Sequence, residues 1–539
     1  MGNEKKNAEF MYVISAVESA AGMLTAYEHY PELTYKIFES VKNQEKHINI
    51  GVLSNAFTEK HDLKGFWKML KEEHQSDVVL QGDSGGLQVI TLGKDITPEL
   101  KREIYSRQSK YCNQALCFDE IPLNVLSAGG GILGTTVEYV DSLFRINAIK
   151  TGKNIAEQIE IFKNEKIKNA KILFILQGKD FKTLREWAWF AFQEVKKVKG
   201  YEDYIEGLAV GVVENLGLRG MADFMLRFQH ELEFLPSEWT KKVHVLGAGT
   251  ISKSLIYFIV DDEYFKPGTV ISADSTSQTR AMVFGKYVYF DEEKGKLKNI
   301  DAGREYTENS KLVVGKIWNF VKNFKDIEPT FKGQDYNSFR NNYTEYNNDL
   351  KRKKCEFECY DEYKKIARVG RYFWSMAMVS DFVKYLENIK TLVKEYNEAK
   401  DNENKDPWAD NKSGVIIRKL KEALPRGVFD ASKLIIGLKD YGKYMEGSED
   451  EIIKGHPYTE TIDIKYLEMV DSDGILELDG RLLSTDYYNG ELRVRELQSS
   501  TGNKDWISPE TLRGRFLSKL QAVPINTIKH LQDKKDGNE

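Results

Sequence analysis

The stretch "DVVLQGDSGGLQV" (77–89) places a short apolar run directly ahead of an acid, a hydroxyl and two glycines. A run of Val and Leu this short, ended by turn residues, is typical of a strand buried on both faces of a parallel sheet. The same order recurs along the chain, and each run precedes a longer charged segment with helical spacing. The other runs are "ALCFDE" (115–120), "KILFILQG" (171–178), "EGLAVG" (206–211), "VHVLGAG" (243–249) and "GTVISAD" (268–274).

Alternation of buried strands with helices predicts an α/β fold, and six such units before residue 280 favour a (β/α)8 TIM-type barrel over a doubly wound sheet. We assign residues 1–395 to the barrel, with an insertion at about 292–350, where the sequence becomes polar and rich in Asn, Lys and Tyr. The charged break that follows predicts a linker at 396–413. Residues 414–539 mix helix-like and strand-like stretches, which predicts an additional C-terminal α+β module of unknown role.

The composition is that of a globular protein. With 539 residues, 41% hydrophobic and 30% charged, the chain is long enough for a barrel and a smaller module. No apolar stretch approaches the roughly 20 residues of a membrane span, and the start lacks the pattern of a secretion signal. Four cysteines are too few for a disulfide framework. We therefore expect a cytoplasmic protein with reduced thiols and no membrane partner.

The candidate functional residues follow the apolar runs, because the loops after the strands build the active site of a TIM barrel. Asp83, Asp119, Gln177, Gly207 and Asp274 are assigned to such positions. Each acid alone is equally compatible with a structural role, such as capping a helix or accepting backbone N–H bonds in a turn. Three carboxylates and a Gln that converge from separate strands on one barrel mouth predict catalysis.

The motifs around these residues resemble those of the tRNA-guanine transglycosylases, barrel enzymes that exchange guanine in a nucleoside for a 7-deazaguanine. The similar pairs are "DSGGLQV" (83–89) and the family's D-S-G-G-F-Q-V, "FDE" (118–120) and F-D-E-C, "LQG" (176–178) and V-Q-G-G, "GLAVG" (207–211) and G-L-A-V-G, "LGAGT" (246–250) and M-G-V-G-T, and "DSTSQTRAMVFG" (274–285) and D-C-V-x-P-T-R-x-A-R-x-G. The six motifs occur in the family's order over about residues 78–290.

The resemblance implies a role for each candidate. Asp274 is expected to be the nucleophile that displaces guanine from C1′ and holds the sugar as an ester, and Asp83 the acid and base of both half-reactions. A carboxylate suits the first role, because an anion stabilises an oxocarbenium-like transition state. Asp119 is expected to accept the N1–H and 2-amino donors of the base, while Gln177 and the Gly207 backbone read O6.

The same motifs imply further residues of the base pocket. Leu87 and Leu246 stand where the family usually has Phe and Met, so stacking on the base is expected to be weaker. The remaining residues expected to contact the base are Ser84, Gln88, Leu208 and Ala209.

Arg280, in the motif of the nucleophile, is the candidate for a contact with the nucleic-acid backbone. The basic segments that are candidates for further phosphate contacts are 163–171, 351–354 and 513–519. Charge runs are more often solvated faces, and the net charge of −5 does not favour binding through bulk charge.

The chain departs from the family at its metal site. Bacterial members carry a structural zinc held by three Cys at C-x-C-x-x-C spacing and a His. Here "CEFEC" leaves only Cys355 and Cys359, and no His lies between His244 and His456. A tetrahedral structural zinc site takes four ligands, and two thiolates cannot close it without carboxylates or His456. We favour a degenerate remnant over a structural zinc site and expect no other cofactor.

Further departures concern the substrate. Val212 stands where bacterial members have a Glu that reads an aminomethyl group, and an apolar residue cannot pair with an ammonium. A neutral substituent, such as the nitrile of 7-cyano-7-deazaguanine, is expected, as in the archaeal branch. The segment from Asp274 to Cys355 is longer than in the family, and the C-terminal module resembles no tRNA-reading domain.

These departures favour the DNA-guanine transglycosylase branch, which places 7-deazaguanines in bacterial and bacteriophage genomes. We expect a pentosyltransferase that acts on DNA in a bacterial or phage-infected cell, with a tRNA enzyme as the alternative. A retaining nucleosidase would use the same two carboxylates and end with water, but it would not explain Asp119 and Gln177. A non-catalytic partner subunit would not need both Asp83 and Asp274. The oligomeric state stays open.

Overall fold

The computed structural model of the chain describes most residues up to 436 and five strands beyond them. The described residues are 8–15, 19–57, 62–86, 96–126, 136–139, 141–166, 169–178, 181–211, 217–247, 251–260, 264–275, 281, 286–301, 308–322, 324, 357–400, 411–436, 461–462, 475–478, 481–488, 491–497 and 520–522. Within these ranges, no helix combines the length and the apolar character that a membrane span needs.

Eight parallel strands form a closed barrel, which confirms the predicted α/β, (β/α)8 class. The barrel strands are β1 (Glu9–Ser15), β2 (Ile48–Asn55), β3 (Val79–Asp83), β4 (Gln114–Leu116), β7 (Lys171–Gln177), β8 (Ile205–Gly211), β9 (Lys242–Val245) and β10 (Val270–Ser275). Around the barrel, β1 is followed by β2, β3, β4, β7, β8, β9 and β10, and β10 pairs with β1. Between β4 and β7 in the chain, β5 (Leu123–Leu126) and β6 (Thr136–Tyr139) pair as an antiparallel ladder outside the barrel sheet. The six predicted runs supply β3, β4 and β7 to β10. The predicted runs did not include β1 and β2, because Gly or an acid does not directly follow the last apolar residue of either strand.

Helices between the strands cover the barrel. They are α1 (Ser19–His29), α2 (Pro31–Lys42), α3 (Asp62–Trp67), which continues as a π-helical segment (Lys68–Glu73), α4 (Pro98–Tyr111), α5 (Asp141–Asn164), α6 (Phe181–Val195), α7 (Gly217–Glu231) and α8 (Ile251–Ile259). Short 3-10 turns span Tyr201–Asp203 and Trp239–Lys241. The start of α4 shows how the sequence sets a boundary: Thr97 Oγ1 accepts the Leu100 N–H at 3.2 Å, and Pro98 occupies the first helical turn.

The eighth helix of the ring comes late in the chain. After β10 follow the antiparallel hairpin β11 (Lys286–Asp291) and β12 (Lys296–Asp301), then α9 (Glu308–Lys322) and the long helix α10 (Phe357–Lys400). Phe382 of α10 packs on Tyr12 of β1, with ring centroids 5.3 Å apart. Tyr372 donates to the carbonyl of Thr34, and Lys390 to that of Val260. The segment predicted as an insertion thus contains β12 and α9, and α10 closes the ring.

The structure differs from the predicted C-terminal boundary. Helix α10 runs to Lys400, inside the predicted linker, and α11 (Lys412–Ala423) and α12 (Arg426–Ile435) follow. Ile416, Ile417 and Leu420 of α11 are buried, and Tyr385 of α10 donates to the carbonyl of Ala423 at 3.1 Å. These two helices therefore belong to the body of the barrel, because their apolar faces are buried there.

A five-stranded antiparallel sheet lies beyond these helices in the chain. Its strands are β13 (Thr461–Ile462), β14 (Ile475–Leu478), β15 (Arg481–Tyr488), β16 (Glu491–Leu497) and β17 (Leu520–Ala522). The order is β13, β16, β15, β14, and β17 pairs with β16.

Candidate active site

Four of the predicted residues lie at the carboxyl ends of barrel strands. Asp83 is the last residue of β3 and Gln177 the last of β7, while Asp119 follows β4 by three residues. Asp274 is the penultimate residue of β10, whose place in the barrel is diametrically opposite β4. Because all eight strands are parallel, these side chains share one mouth of the barrel, where TIM-barrel enzymes have their active sites.

Asp119 and Gln177 form a buried carboxyl–amide pair. Both side chains are almost fully excluded from solvent, and Gln177 Nε2 donates a hydrogen bond to Asp119 Oδ2. Since a primary amide has two N–H donors, one donor of Gln177 is left over. Its carbonyl oxygen Oε1 is buried and accepts no hydrogen bond from the described part of the chain. The pair can therefore offer one N–H and several acceptor positions to a planar polar ligand.

Two glycines make room for this pair. A Cβ on Gly86 would lie 2.5 Å from Asp119 Oδ1, and a Cβ on Gly211 would lie 2.5 Å from Gln177 Oε1. Only a residue without a side chain lets the backbone approach this closely. Neither glycine had a predicted role, although Gly86 belongs to "DSGGLQV" and Gly211 to "GLAVG". The only signal in the sequence was the glycine that ends each of the motifs "DSGG" and "GLAVG".

Burial raises the pKa of Asp119 to about 7, while the hydrogen bond from Gln177 lowers it and the negative charge of Asp83 raises it further. A carboxyl group with this pKa holds its proton about half of the time at neutral pH. The influence of Asp83 also shows that the charges of these two carboxyl groups act on one another. Acidic side chains with a shifted pKa at a barrel mouth are typical of functional sites.

The loop after β3 is tied to its neighbours on both sides. The carbonyl of Asp83 accepts the Ala56 N–H at 2.7 Å, and its Oδ1 accepts the Gly85 N–H at 3.2 Å. Gly85 has a φ of 85°, in the left-handed region that favours glycine. Ser84, predicted to contact the base, donates its hydroxyl to the carbonyl of Cys117 at 2.8 Å. Its hydroxyl therefore links the loops after β3 and β4.

Asp274 is buried and held through one of its oxygens. Gly247 donates its backbone N–H to Oδ1 at 2.6 Å, and His244 Nε2 lies 3.5 Å from the same oxygen. Leu246, predicted to contact the base, is half-buried next to Gly247. His244 was not among the predicted site residues, and its only signal in the sequence is a histidine inside the apolar run "VHVLGAG".

The structure does not bring Gly207 to the Asp119–Gln177 pair. Gly207 pairs with Leu173 low in the barrel, whereas Gln177 pairs with Gly211. Leu208 and Ala209 are buried between these levels. The prediction gave Gly207 the position at the mouth, because an apolar run does not show at which residue its strand ends. Gly211 occupies the level that we had expected for Gly207.

Several predicted residues lie outside the described residues. They are Leu87, Gln88, Val212, Arg280 and Cys355, together with the side chain of Cys359 and the basic segments 351–354 and 513–519. In the basic segment 163–171, Lys163 and Lys171 donate to the carbonyls of Lys199 and Asp203. The side chains that the structure describes include no group of three or more His, Cys, Asp and Glu able to hold a metal.

No family model matches the chain, and no curated protein matches its sequence. What the site can do chemically is inferred from its own geometry. Two carboxyl groups, Asp83 and Asp274, lie three strands apart around the barrel mouth, and a buried carboxyl–amide pair lies beside Asp83.

Proposed function

We propose that the protein is a base-exchange transglycosylase that replaces guanine in DNA with a 7-deazaguanine through an ester on Asp274. One observation carries the proposal. The barrel mouth that presents Asp83 and Asp274 also holds the buried pair of Asp119 and Gln177, whose donors and acceptors match the polar edge of guanine.

Asp274 supplies the nucleophile. Both contacts that the described residues make with its carboxylate go to Oδ1, which leaves Oδ2 to attack C1′. As the Oδ2–C1′ bond forms, the C1′–N9 bond breaks and its electron pair goes to N9 of guanine. A carboxylate beside C1′ stabilises the positive charge that develops on the sugar.

Asp83 supplies the proton transfers. N9 of the departing guanine takes a proton from the carboxyl group, and N9 of the incoming base later returns one to it, as microscopic reversibility requires. The incoming base then attacks C1′, the Oδ2–C1′ bond breaks, and Asp274 regains its charge. Two displacements at C1′ retain the configuration of the nucleoside.

Asp119 and Gln177 recognise the base. Ionised Asp119 accepts the N1–H and 2-amino donors, and the second N–H of Gln177 donates to O6. Because two donors from the base favour the ionised carboxyl group, guanine binding shifts the protonation equilibrium of Asp119 towards its ionised form.

The preference for DNA rests on the sequence. The segment from Asp274 to Cys355 is longer than in the tRNA enzymes, the C-terminal module resembles no tRNA-reading domain, and Cys355 and Cys359 are too few to close the zinc site of those enzymes. Val212 concerns the incoming base and favours a neutral 7-substituent such as a nitrile. Exchange on DNA also requires the target nucleotide to leave its stack, at a cost of about a few kcal/mol for a paired base.

The test measures incorporation of radiolabelled guanine into duplex genomic DNA and, separately, into unmodified tRNA. The proteins are the wild type, Asp274→Asn and the control Asp430→Asn, which removes an exposed carboxylate paired with Lys433 on α12. We expect label in DNA with the wild type and the control, and a loss of at least about 10³-fold with Asp274→Asn. Mass spectrometry of the denatured wild type should also detect the glycosyl ester on Asp274.

The other outcomes separate the alternatives. Label in tRNA alone would contradict the DNA assignment and identify a tRNA enzyme. Release of guanine without incorporation of label would identify a nucleosidase. If the wild type neither incorporates label nor releases guanine with either polymer, base exchange is refuted and a partner-subunit role remains.

A further inference from the structure

We infer that His244 is a positioning residue that holds Asp274 for attack through a proton on Nε2. This inference rests on the proposed function, because it concerns the same carboxylate. No role has been assigned to His244 so far, and its Nε2 lies 3.5 Å from Asp274 Oδ1.

Strand register places His244 directly beneath Asp274. His244 of β9 pairs with Ser272 of β10, and paired residues on neighbouring strands point to the same side of a sheet. Asp274 lies two residues after Ser272, so its side chain is on that side too. His244 and Ser272 are both buried, and the imidazole fills the interior between Ser272 and the carboxylate.

The hydrogen bonds restrict where the proton of His244 resides. Nδ1 lies 3.0 Å from Ser272 Oγ, and Ser272 Oγ lies 3.3 Å from the carbonyl of Val243. A hydroxyl group has one hydrogen, which it donates either to that carbonyl or to Nδ1. If it goes to Nδ1, the neutral ring carries its proton on Nε2. If it goes to Val243, Nδ1 must carry a hydrogen itself.

In that second case the ring is either neutral with a bare Nε2 or a doubly protonated imidazolium. A bare Nε2 would turn a lone pair towards Asp274 Oδ1 in a buried space, where Nε2 cannot be hydrated. Nε2 accepts and donates no hydrogen bond within the described ranges, so no other group there offers it a donor. Both remaining states place a hydrogen on Nε2, facing the carboxylate.

This arrangement assigns different tasks to the two oxygens of Asp274. Oδ1 accepts the Gly247 N–H at 2.6 Å and faces the Nε2 of His244 at 3.5 Å, while Oδ2 forms the ester. When the ester breaks, the electron pair of the Oδ2–C1′ bond returns to the carboxylate, and the two donors stabilise the restored charge. His244 therefore acts on formation and breakdown of the intermediate, whereas base recognition lies with Asp119 and Gln177.

The test compares His244→Leu, which removes the N–H, with His244→Gln, whose amide keeps a donor at a similar reach. Labelled guanine and duplex genomic DNA serve as substrates. We expect His244→Leu to lower kcat by about 10- to 100-fold, equivalent to about 1.4 to 2.8 kcal/mol, with KM for guanine changed less than about twofold. His244→Gln should recover most of the loss, which a general packing defect would not do.

A second measurement uses the intact wild-type protein and needs no active variant. With ¹⁵N-labelled histidine, Nε2 of His244 should show the shift of a protonated nitrogen, assigned by its absence in His244→Gln. An unprotonated Nε2, or equal kcat for His244→Leu and the wild type, would overturn the role of His244 and leave the proposed function standing. No label with the wild type in either polymer would overturn the proposed function itself, and this role with it.

Discussion

Replacing Asp119 by Asn should stabilise the protein at alkaline pH while it removes activity. In the unfolded chain this carboxyl group titrates near its ordinary pKa of 3.8, whereas burial raises the pKa to about 7 in the folded protein. Between these values the folded state holds a proton that the unfolded state has released. Stability therefore falls as the pH rises from about 4 to about 7, because the unfolded state binds fewer protons there.

The size of the effect follows from the shift of about three pKa units. At about 1.36 kcal/mol per unit, the ionised Asp119 costs the folded protein at most roughly 4 kcal/mol above pH 7. Asn resembles the protonated acid in shape, keeps an acceptor for Gln177 and cannot ionise. The stability of Asp119→Asn relative to the wild type should thus grow by about 2 to 3 kcal/mol between pH 5 and pH 8.5 and level off above about pH 7.

The assay is urea or thermal unfolding at pH 5, 7 and 8.5, followed by circular dichroism. Asp430→Asn is the control, because Lys433 holds the pKa of that exposed carboxyl below its usual range and it should add no pH dependence here. Guanine exchange should fall at least about 10²-fold in Asp119→Asn, since an amide no longer accepts both donors of the base. A stability gain that is the same at every pH would refute the raised pKa of Asp119.

Three further outcomes are expected. Gly86→Ala should destabilise the protein by about 1 to 3 kcal/mol in thermal melts and should lower guanine exchange, because the added Cβ would meet Asp119. The control Gly315→Ala should do neither, because a Cβ on Gly315 would have no neighbouring atom within 4 Å. Asp83→Asn removes a charge that raises the pKa of Asp119, so guanine binding, measured by calorimetry against pH, should extend to lower pH. Burial raises the pKa of the Cys112 thiol, so iodoacetamide should leave it unmodified in the native protein and alkylate it in urea, as peptide mass spectrometry would show.

The barrel and the positions of its acids could be read from local patterns. A strand buried on both faces leaves a short apolar run, and the residue after the run reaches the mouth wherever the strand lies in the barrel. Asp83 and Gln177 accordingly end β3 and β7. The pattern failed for β1 and β2, which end at Ser15 and Asn55, because no acid or glycine directly follows the last apolar residue of either strand.

Only the tertiary structure decided what these residues touch. Gly211, and not Gly207, lies beside Gln177. This pairing depends on the register of β7 and β8, which an apolar run does not encode. The approach of Gly86 to Asp119 and of His244 to Asp274 joins residues on different strands. The sequence by itself therefore determined the fold class and the chemical groups at the mouth. The packed barrel determined their distances, their burial and the pKa of Asp119, because these depend on neighbours that are remote along the chain.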